Sequence, residues 1–173
     1  MRPSIVIRKL HYWTSIAIAL PASILLASGL LLQAKKHWSW VQPPEQRGSV
    51  TAPRITTDSV LGSVVAVPAL GVRGWDDVNR IDFRPGKGVA KVWLQNGVEV
   101  QVDLGTGAVL QSAYRRSDLI ESIHDGSYFG GDATKLGVFL PTGIVLLFLW
   151  VSGVWLFLVP ILAKRRRAHR LRG

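Results

Sequence analysis

Two apolar stretches, one near each end of the chain, frame a middle section in which apolar and polar residues alternate. Trp13 to Leu32 is twenty residues without a charge, and Leu136 to Leu162 is interrupted only by Gly, Pro, Ser and Thr. A helix needs about 20 apolar residues to cross a hydrocarbon core of about 30 Å, so each stretch is long enough to span one. The pattern predicts a tail over 1–12 and transmembrane helix 13–34, then an interfacial segment and linker over 35–54. A small domain over 55–125, a loop back to the membrane over 126–135, transmembrane helix 136–163 and a tail over 164–173 complete the expected order. The first stretch exceeds the 7–15 residues of a signal-peptide core, and Gln33, Lys35 and Lys36 follow it without a small-x-small site, so it reads as an uncleaved anchor.

Within the middle section the periodicity changes twice. Thr56, Thr57 and Asp58 offer N-caps to a short helix whose apolar face uses Val60, Leu61, Val64 and Val65 and which ends near Pro68 and Gly71. Strand-like alternation follows over Asn79–Arg84 and Val89–Gln95, separated by the turn Pro85-Gly86-Lys87-Gly88. Asn96-Gly97 marks a hairpin, for which a type I′ turn is expected, and leads into Val98, Val100, Val102 and Leu104 alternating with Glu99, Gln101 and Asp103. That pattern predicts a strand buried on one face. Gly105-Thr106-Gly107 turns into a last strand over Ala108–Ala113, and a second helix is expected from Ser117 through Leu119, Ile120 and Ile123. The fold class expected is therefore two transmembrane helices plus a small α+β extracytoplasmic domain with an antiparallel sheet.

Charge sets the expected orientation. Arg2, Arg8 and Lys9 precede the first stretch, and Lys164, Arg165, Arg166, Arg167, Arg170 and Arg172 follow the second, nine positive charges with no acid. Residues 34–136 hold the other twelve basic residues and all eleven acids, a net of +1 that with the tails restores the total of +10. Basic residues next to spans stay cytoplasmic, so both termini are expected in the cytoplasm of a bacterial inner membrane and the central domain in the periplasm. The lipid bilayer is the first partner implied, and the basic tail suits anionic headgroups. A nucleic-acid partner is not implied, because the positive charge is not gathered on one folded surface. Cysteine is absent, which removes disulfide, thiolate and Cys-metal chemistry.

Four histidines carry the remaining chemistry. His11 lies beside Tyr12 and Trp13 at the cytoplasmic edge of the first stretch and reads either as a functional imidazole, costly to place near a bilayer, or as an interfacial anchor. His124, in His124-Asp125-Gly126, reads either as a ligand with Asp125 as an orienting carboxylate or as the end of a helix terminated by Gly126. The expected topology puts these two on opposite sides of the membrane, so one chain would not offer both to the same iron. His37, between Lys36 and Trp38, reads as an anchor, and His169 as a solvated member of the tail. No metal-binding histidine spacing, phosphate loop or nucleophile motif is present, so no catalytic residue is assigned. Ala19, Ser23 and Ala27 form a small-residue face on the first stretch, and Gly143, Ser152 and Gly153 a weaker one on the second. These faces suit packing of one span on the other or a homodimer. Pro21 is expected to bend the first helix.

The chain resembles the PepSY-associated transmembrane proteins over nearly its whole length. The run V-D-L-G-T-G-A-V-L from Val102 to Leu110 is similar to the end of a PepSY domain. R-K-L-H-Y-W at Arg8 to Trp13, L-P-A-S-I-L-L-A-S-G-L-L-L at Leu20 to Leu32, I-H-D-G-S-Y-F-G at Ile123 to Gly130 and V-S-G-V-W at Val151 to Trp155 match the flanks in order. The resemblance implies haem as cofactor, with His11 and His124 in the positions of the family's ligands. Its larger members have more spans, and some reduce ferric siderophores. With only the first two spans, this chain is expected to be a haem-binding or electron-transfer component tied to iron acquisition rather than a complete reductase. Two other functions stay open: a non-catalytic regulatory or protease-restraining module, and an accessory subunit of a larger membrane complex.

Overall fold

The computed structural model describes the backbone of residues 3–170 and the side chains of residues 5–164. The side chains of Arg2, of His169 and of the basic residues from Arg165 to Arg172 lie outside the described residues. Two compact units are present, one formed by residues 31–120 and the other by the chain before and after it.

The unit 31–120 is a four-stranded antiparallel meander with a helix on one face. The strands are β1 (Val78–Arg84), β2 (Val89–Leu94), β3 (Val98–Asp103) and β4 (Val109–Tyr114), in the order β1-β2-β3-β4. The helix that precedes them, α3 (Thr57–Val65), begins as its sequence predicts: Thr56 is the N-cap, and its hydroxyl accepts the Ser59 N–H at 3.2 Å. Val60 and Val64 lie one turn apart on α3 and are fully buried against Ala90, Val92, Val100, Val102 and Leu104. Register agrees with this face, since Ala90 pairs with Val102 and Val92 with Val100. Val98 is only half-buried.

The opposite face departs from expectation. Alternation predicts that Glu99, Gln101 and Asp103 face water, yet all three are buried, as is Lys91 on the neighbouring strand. The reason is the segment expected to be an open linker. Residues 41–54 run across this face as a strap held by hydrogen bonds to it. The Gln46 N–H donates to Gln101 Oε1 at 2.7 Å, Ser49 donates through both N–H and hydroxyl to Asp103, and the Arg54 N–H donates to the Leu104 carbonyl at 2.9 Å. Val41 is fully buried, and its carbonyl accepts the Ser117 N–H at 2.8 Å. Burial pushes the Asp103 carboxyl up, but the N–H of Gly105 and the Ser49 donors outweigh it and hold the pKa below its ordinary value. The compact unit that contains the sheet and the strap runs from Leu31 to Ile120, where the sequence led to the expectation of a domain over 55–125. Close approach explains two glycines in the strap's path: a Cβ on Gly48 would overlap the Gly88 carbonyl, and Gly88 itself has φ 69°.

The Asn96-Gly97 hairpin is present with a different turn. Only Gly97 has positive φ, at 82°, and its N–H returns to the Leu94 carbonyl at 3.0 Å. A type I turn followed by a left-handed glycine, the three-residue form, replaces the expected type I′.

The other unit is helical. It contains α1 (Pro3–Ala17), most of α2 (Ala19–Ala34), the end of α4 (Arg116–Asp125), α5 (Ser127–Thr134) and α6 (Leu140–Arg170), with a π-helical turn at Lys135–Phe139 before α6. The helical stretch Ser127–Lys164, kinked at Gly130 and Gly131, is long and apolar enough to cross a membrane. The first apolar stretch is not one straight helix: α1 and α2 meet at 68°. Pro21 accounts for the position of the break. Its ring collides with the carbonyl four residues earlier, that of Ala17, and it has no N–H to close that turn. Gly126, at φ 84°, ends α4 as expected, and a side chain there would overlap the Phe139 ring.

Candidate functional site

The two histidines singled out in the sequence occupy equivalent settings at two separate helix crossings. His11 on α1 places Nδ1 2.9 Å from the Ser152 hydroxyl on α6. His124 on α4 places Nδ1 3.0 Å from the Ser28 hydroxyl on α2. In both cases the residue after the serine is glycine and faces the imidazole, with ordinary room at Gly153 and a tighter fit at Gly29. A Cβ on Gly153 would stand 3.5 Å from His11 Cε1, and one on Gly29 would stand 3.3 Å from His124 Cε1. Both rings are half-buried, while Ser28 and Ser152 are buried.

Each serine hydroxyl stands between a carbonyl of its own helix and an imidazole nitrogen. A hydroxyl has one hydrogen. Ser28 donates its own to the Ile24 carbonyl at 2.5 Å, one helical turn back, and Ser152 donates to the Leu149 carbonyl at 3.1 Å. With the hydroxyl hydrogen on that carbonyl, each oxygen accepts from its histidine, and a neutral His11 or His124 then donates from Nδ1–H. That leaves the lone pair on Nε2, for which neither ring has a partner among the described residues. A neutral imidazole fixed through Nδ1–H with Nε2 open is the form that ligates a metal.

Several expectations are corrected by this geometry. Asp125 does not orient His124; it accepts from the Ser127 N–H and hydroxyl and pairs with Lys135 at 2.7 Å. Ser28 takes that role. His11 lies six residues before the end of α1, and its partner Ser152 is twelve residues from both Leu140 and Lys164, about 18 Å along α6 in each direction. The small-residue face Ala19, Ser23 and Ala27 is exposed, as is Gly143, whereas Ser152 and Gly153 of the second expected face do meet α1 at His11, and Ala22 and Ser28 are the buried small residues of α2. Sequence reading overlooked Ser28 and Gly29, although a signal existed. The chain has only two Ser-Gly dipeptides, at 28–29 and 152–153, one in each apolar stretch.

The crossings are too far apart to serve one ion. Phe139, which packs on Gly126 near His124, is thirteen residues before Ser152, about 20 Å along the helix. Two imidazoles on one iron need Nε2 atoms about 4 Å apart, with each bond about 2 Å. Among the described residues no group of three or more His, Cys, Asp or Glu could hold a metal ion.

Asp125 supplies a test of the loop beside His124. Hydrogen bonds from Lys135 and then Ser127 hold its carboxyl down to about 2, against an ordinary 3.8. A carboxyl depressed in the folded state stabilises above its unfolded pKa, and the contribution is lost as pH falls through about 2. Wild-type melting temperature should therefore fall more steeply below about pH 4 than that of Asp125→Asn. Parallel curves in an acid titration followed by circular dichroism would remove this ion pair from the account.

No family model matches the chain, and no characterised protein or solved structure is similar to it.

Proposed function

We propose that the protein is a haem-binding, electron-transfer component of a bacterial inner membrane, with one imidazole ligand at each of its two helix crossings. The observation that carries this reading is the duplicated clamp: serine hydroxyl on Nδ1, glycine beneath the ring, Nε2 left open. A haem held there would supply one-electron chemistry, its potential set by axial ligands and their hydrogen bonds. The chain's own contribution is to fix two imidazoles in one tautomer and one orientation. Because each crossing offers a single histidine, a six-coordinate iron would take its second ligand from another copy or from a partner subunit. The resemblance to PepSY-associated transmembrane proteins supports placing that component in iron acquisition, without complete reductase activity.

Membrane insertion is part of the same proposal. α6 alone is about 46 Å long, more than a bilayer core, and its large apolar side chains face outward, Phe157 being 69% exposed. α2 alone is only about 24 Å. At 68° to it, α1 adds about 8 Å of depth, so the bent pair reaches about 32 Å. α1 would then lie toward the interface, where Tyr12 and Trp13 are exposed beside Arg8 and Lys9. Both termini are placed in the cytoplasm by the nine basic residues of the tails.

Haem titration of the detergent-purified protein, followed by absorbance, tests the reading. A Soret band should appear on addition of haem, weaken in His11→Ala and in His124→Ala, and vanish in the double variant. Ser28→Ala and Ser152→Ala should keep the band but weaken haem retention about 10–100-fold, the usual cost of losing a group that orients a ligand. A double histidine variant that binds haem as wild type does would overturn the assignment.

A further inference from the structure

The unit 31–120 carries a second site that the histidines do not touch. A cleft of about 740 Å³ opens between the start of the unit, the strap and the strap-facing side of β1 and β2. Seven basic side chains line it against Glu45 and Asp82, a net of +5 (7 − 2). Glu99, buried beneath Lys91 and Arg115, and Asp118, 2.7 Å from Arg115 Nε, lower the local balance to +3. The cations differ in how far they are already satisfied. Lys91 lies between Glu45 at 3.2 Å and Glu99 at 3.6 Å, and Arg115 grips Glu99 at 2.7 Å. Lys35, Lys36 and Arg80 have no carboxylate partner among the described residues.

Trp93 arranges the guanidinium groups. Arg80 stacks on its ring with Cζ 3.1 Å from the centroid, and Arg115 lies 4.1 Å from it. Two guanidiniums held on one indole lose less freedom when they bind than flexible surface arginines would. Three buried polar atoms of the lining lack a hydrogen-bond partner among the described residues, the donor Trp93 Nε1 and the acceptors Gln42 Oε1 and Glu45 Oε1. A net charge of this size, three cations without a carboxylate partner and the planar donor fork of Arg80 suit an oxyanion with three or four acceptor oxygens better than a monocarboxylate, whose two oxygens leave donors unmatched.

We infer that this cleft binds a phosphate group. Lys35 and Lys36 come directly after the last residue of α2, and Trp38 and Trp40 beyond them are exposed. If α2 is inserted as proposed above, the nearest phosphates are those of anionic phospholipids, and the inference rests on that reading only for their source. Haem binding plays no part in it.

Native mass spectrometry of the full chain, released from bilayers of phosphatidylcholine with added phosphatidylglycerol, separates the sources when combined with calorimetric titration of inorganic phosphate in detergent. Wild type should retain phosphatidylglycerol above its proportion in the bilayer. Arg80→Gln combined with Lys35→Gln and Lys36→Gln should cut that excess at least tenfold. Arg80 and Lys36 are exposed and Lys35 is half-exposed, so the fold is expected to survive, and thermal melting checks it. The basic C-terminal tail is the same in both proteins, so its own lipid contacts cancel. Retention at the bilayer proportion, with inorganic phosphate binding that the triple variant abolishes, would assign the cleft to a soluble phosphate ester instead. No binding in either arm, or binding indifferent to the triple variant, would overturn the inference, whatever the absorbance of the haem-loaded protein.

Discussion

Val100→Asp should unfold the unit 31–120 at temperatures where wild type is intact. Val100 is fully buried at the centre of β3, paired with Val92 and facing α3 through Val60 and Val64. A carboxylate there has no donor to meet it, and the cost after relaxation is about 3–5 kcal/mol. Domains of this size are stable by about 5–15 kcal/mol, so the substitution removes much of the margin. Loss of sheet signal by circular dichroism should shift by well over 10 °C, whereas an unchanged midpoint would mean that the face is assigned wrongly.

The neighbouring residue gives the second large effect, on the opposite face. Glu99→Ala should destabilise by about 2–4 kcal/mol, because it leaves buried positive charge behind. Glu99 is 1% exposed and accepts from Arg115 at 2.7 Å and from Gln101 at 2.8 Å, with Lys91 3.6 Å away. Burial already lowers the Lys91 pKa, and the attraction of Glu99 is what opposes that shift. Without Glu99 the ammonium is costlier still. The deficit in Glu99→Ala should therefore shrink as pH rises toward 10.5, where Lys91 can shed its proton in the folded state. If β3 were open to water on this side, the same change would cost under about 0.5 kcal/mol with no such pH dependence. Urea titrations at neutral and alkaline pH separate the two outcomes.

These neighbours show what local pattern can and cannot reveal. Val98 to Leu104 alternates so regularly that the strand and the face meeting α3 follow from the residues alone. The burial of Glu99, Gln101 and Asp103 does not, because it depends on residues 41–54, more than fifty positions away in sequence for Gln46 and Ser49. Pro43, Pro44 and Pro53 correctly excluded regular structure in that segment. They said nothing about whether an irregular segment packs, and here its backbone N–H groups find carboxylate and amide acceptors on the sheet. Pro21 likewise announced a bend, but not its 68° angle or the packing of α1 on α6. At the site, His11 and His124 were legible as chemistry and their partners were not. Pairing His11 with Ser152, 141 residues on, and His124 with Ser28, 96 residues back, is a matter of helix crossing. Asp125 was the nearest carboxylate in sequence, and it faces Lys135 instead.

The account stands most directly on the state of the two imidazoles, which can be read without any haem. Solid-state nitrogen NMR of the histidine-labelled, full-length protein in phospholipid bilayers at mildly alkaline pH assigns the tautomer of each ring from its two nitrogen shifts. His11 and His124 should both be Nδ1–H with an unprotonated Nε2, and Ser28→Ala and Ser152→Ala should each release only their own histidine from that form. Nε2–H tautomers at both positions in the wild-type protein would contradict the clamp, and with it the claim that the helix crossings hold ligands ready for iron.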